Sequence, residues 1–181
     1  MELKVSELNF SPANKQKLIK IIVKNLDAFA GSDDDLGCTS VCEQRINTGD
    51  KPPFRDRLRN LPWSRRPFVD NQLDAFERSG VIYKADPGDC PYASAIVVVS
   101  KKEVDPSKDP FRLCIDYRRL NADTVKDSYP LPRIDDILIN LRGKKFFASV
   151  DLLSGYMQIG VDPADRKKTA FVTHRGLYVF N

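Results

Sequence analysis

One histidine, one tryptophan and two methionines are spread over the sequence, and none of its four cysteines (Cys38, Cys42, Cys90 and Cys114) forms a C-x2-C pair. Zinc centres need clustered thiolates or imidazoles, and His174 lies far from every cysteine, so neither a zinc ribbon nor a disulfide scaffold is indicated. Buried free thiols are the expectation. No stretch approaches the roughly 18 uninterrupted apolar residues of a membrane helix. Met1-Glu2-Leu3-Lys4 opens without the apolar core of a secretory signal, so an intracellular setting with no membrane partner is expected. Internal repeats and low-complexity tracts are also missing. With 181 residues, of which 41% are hydrophobic and 30% charged, the chain suits one ordinary domain, or one domain with an arm, and can bury a core.

The formal net charge is only +4, but its distribution is uneven: Lys51 to Arg66 carries six bases (Lys51, Arg55, Arg57, Arg59, Arg65, Arg66) against one acid, Asp56. A concentrated cationic segment suits a polyanion, because each phosphate neutralised releases counterions. A charge run is also commonly just a solvated surface, and the segment alone does not decide between the two.

Ser11-Pro12 offers an N-cap and a first-turn proline, and Leu18, Ile22, Leu26 and Phe29 recur at helical spacing until Gly31. Gly31 to Asp50, with acids at 33 to 35, reads as a connector, and Pro52, Pro53 and Pro62 keep the basic segment extended. From Pro67 the texture becomes compact. Val69, Leu73 and Phe76 mark a helical face capped by Gly80, Val81 to Tyr83 begins a strand, and Ala95 to Val99 is an apolar strand. Phe111 to Tyr117 alternates, with Phe111, Leu113, Ile115 and Tyr117 on one face and Arg112, Cys114 and Asp116 on the other, which makes a hairpin with a proline-rich tip. Ile134, Ile137, Leu138 and Leu141 form another helical stripe closed by Gly143. Phe146 to Asp151 reads as a strand, and Lys168 to Thr173 with Leu177 to Phe180 as a second hairpin around His174-Arg175-Gly176. Strands joined partly by hairpins and partly by helices give an α+β fold.

Asp151, emerging from an apolar strand, is placed to hold a hard cation such as Mg²⁺, although by spacing alone such a residue more commonly caps the turn that follows. Ser154-Gly155 would let backbone amides approach a phosphate, and Tyr156 would offer a flat ring to a sugar or base. Arg112, with Lys101 and Lys102 on the neighbouring strand, could grip a triphosphate, or pair with Asp116 or solvent.

Three blocks then carry a resemblance: Pro91-Tyr92-Ala93-Ser94-Ala95-Ile96-Val97-Val98-Val99, Phe111-Arg112-Leu113-Cys114-Ile115-Asp116-Tyr117-Arg118-Arg119-Leu120-Asn121, and Thr124-Val125-Lys126-Asp127-Ser128-Tyr129-Pro130-Leu131-Pro132-Arg133-Ile134-Asp135-Asp136. Ser149-Val150-Asp151-Leu152-Leu153-Ser154-Gly155-Tyr156-Met157-Gln158-Ile159 and Lys168-Thr169-Ala170-Phe171 follow in order. Together they resemble the reverse transcriptase in the Pol polyprotein of gypsy-class LTR retrotransposons. The stretch from Phe29 to Ile82 is similar to the lead-in between protease and polymerase.

The resemblance implies the fingers and partial palm of a right-hand polymerase fold behind an N-terminal helical connector. The organisation would be helix and connector over 1–45, basic arm and lead-in helix over 46–90, and fingers with the first part of the palm over 91–181. It makes Asp151 the first catalytic aspartate, with the Leu152 carbonyl beside the metal. Leu153, Ser154 and Gly155 would lie under the incoming dNTP, and Tyr156 would be the steric gate against a ribose 2′-hydroxyl. Arg112 and Lys101 or Lys102 would grip phosphates, while Gln158, Arg55, Arg57 and Arg59 would lie toward the RNA/DNA template-primer. Mg²⁺, with Mn²⁺ as substitute, is the implied cofactor, and the later palm, thumb and ribonuclease H segments are implied partners. In the parent element the setting would be cytoplasmic and particle-associated. The Tyr-x-Asp-Asp turn of such enzymes occurs nowhere in the 181 residues, so the expectation is a truncated polymerase, inactive alone. The alternatives are a non-catalytic nucleic-acid- or protein-binding module of the same ancestry, and an inert gene fragment.

Overall fold

The computed structural model describes residues 10–32, 35–102, 110–145 and 147–181. Helix α1 (Pro12–Lys24) starts where the sequence predicts: the Ser11 hydroxyl accepts from the Asn14 amide and Pro12 occupies the first turn. Strand β1 (Thr39–Gln44) follows, then an extended basic segment, helix α2 (Arg66–Arg78), and strands β2 (Ile82–Lys84), β3 (Ser94–Ser100) and β4 (Phe111–Ile115). Helices α3 (Arg118–Asp123) and α4 (Ile134–Leu141) precede β5 (Ile159–Val161), β6 (Phe171–Thr173) and β7 (Gly176–Phe180). Gly80, at φ 72°, ends α2 and lets the Val81 amide reach the Phe76 carbonyl at 2.9 Å.

Five strands form one sheet in the order β2-β7-β6-β3-β4, antiparallel except for the β3–β6 pair. Alternation along β7 divides the core. Tyr178 joins Phe68, Val69, Leu73, Ile96, Val98 and Phe171 in a cluster under α2, whereas Leu177 and Val179 join Phe54, Tyr92, Ala93 and Leu120 in another. The architecture is the expected α+β, and β3 and β4 are antiparallel as expected.

Several expectations change. The connector contains β1, which pairs in parallel with β5; its Thr-Ser-Val-Cys-Glu-Gln sequence is almost wholly exposed and so carries no apolar alternation to announce a strand. Residues 147–151 are irregular and exposed rather than a strand against the C-terminal hairpin. That hairpin already pairs through β6 with β3 and through β7 with β2, so the stretch finds no ladder partner. Lys168 and Thr169 lie in a 3₁₀ turn (Arg166–Thr169) before β6. Helix α4 forms and ends before Gly143, at φ 76°, but none of its residues is buried. Cys90 is buried and Cys114 half-buried, but Cys42, within the almost wholly exposed β1, and Cys38, just before it, are exposed. Phe146, Asp33, Asp34 and most of the proline-rich hairpin tip (103–109) lie outside the described residues.

Candidate nucleotide and nucleic-acid site

The β3–β4 hairpin sorts its residues by pleat. Ile96, Val98 and Ser100 sit opposite Ile115, Leu113 and Phe111 on the face toward α2, so Val99 and its partner Arg112 share the other face. The Lys101 amide continues the ladder with a 2.8 Å bond to the Pro110 carbonyl, and by alternation Lys101 falls on the Arg112 face. Arg112 is exposed, and neither it nor the ammonium groups of Lys101 and Lys102 makes an ion pair among the described residues. The alternative partner for Arg112, Asp116, is instead held by Arg118 and Arg59. The guanidinium of Arg118 beside Asp116, together with that of Arg59, outweighs burial and holds the carboxyl far below the usual range.

The Asp151 segment is built around a strained turn. Ser154 adopts φ 49°, the one positive φ outside glycine among the described residues, and Gly155–Gln158 continues as a 3₁₀ turn. The Ser154 carbonyl accepts from the Met157 amide at 2.8 Å, and the Gln158 side-chain amide donates to the Leu153 carbonyl at 2.8 Å. A Cβ at position 155 would lie 3.1 Å from Leu152 Cβ, which favours glycine there. The turn leaves Tyr156 fully exposed, with Asp151 and Leu152 exposed beside it. Gln158 is therefore tied to its own loop through one N–H. No hydrogen bond or ion pair joins this loop to the β3–β4 hairpin among the described residues.

Asp151 and the Leu152 carbonyl are oxygen donors, which suits a hard cation in kind. They do not suit it in number, since among the described residues no three His, Cys, Asp or Glu side chains gather to hold a metal. A divalent ion here needs further oxygen donors.

Most of the basic segment is occupied internally. Arg55 donates to the carbonyls of Pro87, Cys90 and Pro91, and strand-like bonds join Phe54 and Asp56 to Ala93. Arg59 is bound to Asp116, Arg65 reaches the Val98 carbonyl and stacks over Phe111, and Lys51 meets Asp123. Of the four candidate template-primer residues, Gln158, Arg55, Arg57 and Arg59, only Arg57 has no partner among the described residues. Sequence reasoning missed the Arg59–Asp116–Arg118 cluster, because no local pattern signals a pairing across 57 positions. A cavity of about 740 Å³ lies between Leu36, Ile46, Tyr117, Leu120, Met157 and Phe180; Tyr156 lines it, but neither Asp151 nor Arg112 does.

Comparison with known proteins bears on this arrangement. Residues 99–181 match the family model described as reverse transcriptase (RNA-dependent DNA polymerase). The chain is 34% identical over 177 residues to the retrovirus-related Pol polyprotein from transposon gypsy of Drosophila melanogaster, covering 97% of this chain and 17% of that protein. Its identity to the Pol polyprotein from transposon opus of the same fly is 37% over 145 residues, 80% of this chain and 14% of the relative. The chain thus spans about a sixth of the length of these relatives. Among solved structures, the foamy viral protease-reverse transcriptase in complex with an RNA/DNA hybrid superposes with a TM-score of 0.80 at 20% identity, over 97% of this chain and 23% of that one. The α+β fold is therefore that of reverse transcriptase fingers and palm.

Proposed function

We propose a function from one premise: the chain belongs to the reverse transcriptase (RNA-dependent DNA polymerase) family, in the branch of retrotransposon Pol polyproteins. Its 181 residues supply the fingers and leading palm of a polymerase that copies RNA into DNA by nucleotidyl transfer, on a template-primer of the RNA/DNA kind. The family is generally dependent on a divalent metal. For this chain the metal is Mg²⁺, replaceable by Mn²⁺, with Asp151 and the Leu152 carbonyl among its donors. Held there with further oxygen donors, the cation would supply neutralisation of charge developing on the phosphate and the attacking oxygen. Arg112 with Lys101 or Lys102 holds the triphosphate, residues 153–155 lie under it, and Tyr156 excludes the ribose 2′-hydroxyl.

One observation carries the reading. In a protein that ties most of its basic segment to internal partners, Arg112, Asp151 and Tyr156 stay exposed and without partners among the described residues. Charge left open is charge available to a ligand. The single carboxylate at the site supports the second reading, a nucleic-acid-binding module without catalysis, for the 181 residues acting alone.

The test is primer extension. The chain alone is expected to extend no primer with Mg²⁺ or Mn²⁺, and the chain joined to the later palm and thumb of a relative to do so only with Asp151 intact. Extension by the joined protein that survives Asp151→Asn overturns the assignment.

A further inference from the structure

Asp116 lies just beyond the C-terminal end of β4, with 10% of its side chain exposed, and two guanidiniums from different parts of the chain converge on it. Arg59 Nη2 lies 2.5 Å from Oδ2, Arg118 Nη2 lies 2.6 Å from the same oxygen, and Arg118 Nε lies 2.7 Å from Oδ1. The cations differ from the carboxylate in exposure: Arg59 is about half exposed and Arg118 83% exposed. Nε and Nη2 of Arg118 are the adjacent donors a guanidinium uses to fork a phosphate, and both are engaged by Asp116. The cluster therefore presents two solvent-facing arginines whose best-placed donors are turned inward.

We propose that Asp116 masks Arg59 and Arg118 from the phosphates of single-stranded nucleic acid and so limits sequence-independent binding at this end of the fingers. The masking leaves Arg57 and the Lys101–Arg112 face, whose cationic groups make no ion pair among the described residues, as the places where a polyanion meets open cationic donors. An amide in place of the carboxylate removes the charge that holds the two arginines and frees their donors. The inference rests on the nucleic-acid reading above, and its test separates the two.

The full chain is titrated into fluorescein-labelled oligo(dT) across a range of NaCl concentrations and read by anisotropy. Wild type is expected to bind weakly, with a salt slope. Asp116→Asn should bind more tightly at low salt, its log–log slope steeper by about 0.7 to 1.4, the contribution of one to two further phosphates on a single strand. Adding Arg59→Gln and Arg118→Gln should return the slope to the wild-type value or below. If Asp116→Asn keeps the wild-type circular dichroism spectrum and stays folded at the assay temperature but binds no more tightly, Asp116 is a structural brace only and the proposal falls. If that variant does not fold, Arg118→Gln decides: an unchanged slope supports masking, and a slope flattened by about 0.7 overturns it by placing Arg118 already on a phosphate. If wild type does not bind, the nucleic-acid reading of the isolated chain fails. A gain of binding in Asp116→Asn then still supports masking, and absence of binding by both proteins overturns it.

Discussion

The side-chain amide of Gln158 donates to the carbonyl of Leu153 across 2.8 Å, closing the loop in which Ser154 is held at φ 49°. The bond spans the residues that present Tyr156 to solvent, so the ring's direction depends on a turn that glycine would adopt more readily than serine.

Replacing Ser154 shows whether that conformation is required. Ser154→Gly should change stability by no more than about 1 kcal/mol, since relief of the left-handed conformation and the added freedom of the unfolded chain oppose each other. Ser154→Val, β-branched and unsuited to positive φ, should destabilise the loop by about 1 to 3 kcal/mol. Amide hydrogen exchange at Met157, whose N–H bonds the Ser154 carbonyl, reads the difference. Equal exchange in the two variants contradicts the turn geometry.

Two helical stripes that look alike in the sequence separate on mutation. Leu73 in α2 is fully buried, and Leu73→Ala should lower the unfolding free energy by about 2 to 5 kcal/mol in urea titration. Leu138 in α4 is 59% exposed, and Leu138→Ala should stay within about 0.5 kcal/mol of wild type. A large loss at Leu138 would mean that α4 packs on something.

That contrast marks where the sequence is legible. The period of Val69, Leu73 and Phe76 predicts both a helix and its buried face, and the alternation of Phe111 to Tyr117 predicts β4 and places Arg112 opposite the core, because in both cases the pattern and the packing come from the same side chains. The stripe of α4 and the alternation before Asp151 predict faces for which the described residues offer no neighbour. The pattern records a surface to be covered, not what covers it. β1 is the converse: it exists through backbone bonds to β5, and backbone bonds leave no mark on residue choice. The charges of the basic segment were visible, but their targets were not, since Arg55 finds carbonyls and Arg59 a distant carboxylate. At the site, Asp151 and Tyr156 were legible as residue types, whereas the left-handed Ser154 and the Gln158 tie depend on a turn that only the folded backbone specifies.

Stability should fall on both sides of neutral pH. The Asp116 carboxyl is held low, by Arg118 and Arg59 against the opposing effect of burial. For Asp165, burial works upward, but the hydrogen bonds from Lys168 and the Ile46 amide, with the nearby charges of Lys168 and Arg45, bring its carboxyl below the usual value. A depressed carboxyl stabilises the fold while ionised, so this contribution is complete above an unfolded pKa near 3.8 and is lost as pH drops through the folded values. At the other end, burial raises the Tyr117 hydroxyl, which donates to the Thr169 carbonyl at 2.7 Å. Above pH 10 an unfolded tyrosine loses its proton while Tyr117 keeps it, so stability declines as pH rises. Urea midpoints across pH should show both slopes, with Asp116→Asn flattening the acid limb and Tyr117→Phe the alkaline one. An acid limb unaffected by Asp116→Asn would remove that residue from the account.

The last expectation separates two residues of the candidate nucleotide site by the kind of selectivity each gives. In the chain joined to the later palm and thumb of a relative, Arg112→Ala would, on the proposed role, remove a charged contact to phosphate worth about 1.5 to 3 kcal/mol, so the dNTP concentration for half-maximal extension should rise about 10- to 150-fold. The maximal rate should change less, because the contact forms with the ground-state triphosphate as well as in the transition state. Tyr156→Ala touches no phosphate. It should leave dNTP use within a few-fold of wild type while raising rNTP incorporation by at least about tenfold, since a gate acts by excluding the 2′-hydroxyl and not by gripping the nucleotide. The double variant should show both effects at once, as expected for groups that touch different parts of the nucleotide. If Arg112→Ala instead relaxes sugar selection, or Tyr156→Ala raises the dNTP requirement without admitting rNTP, the two roles are wrongly assigned. The nucleotide would then approach the hairpin and the loop in another orientation.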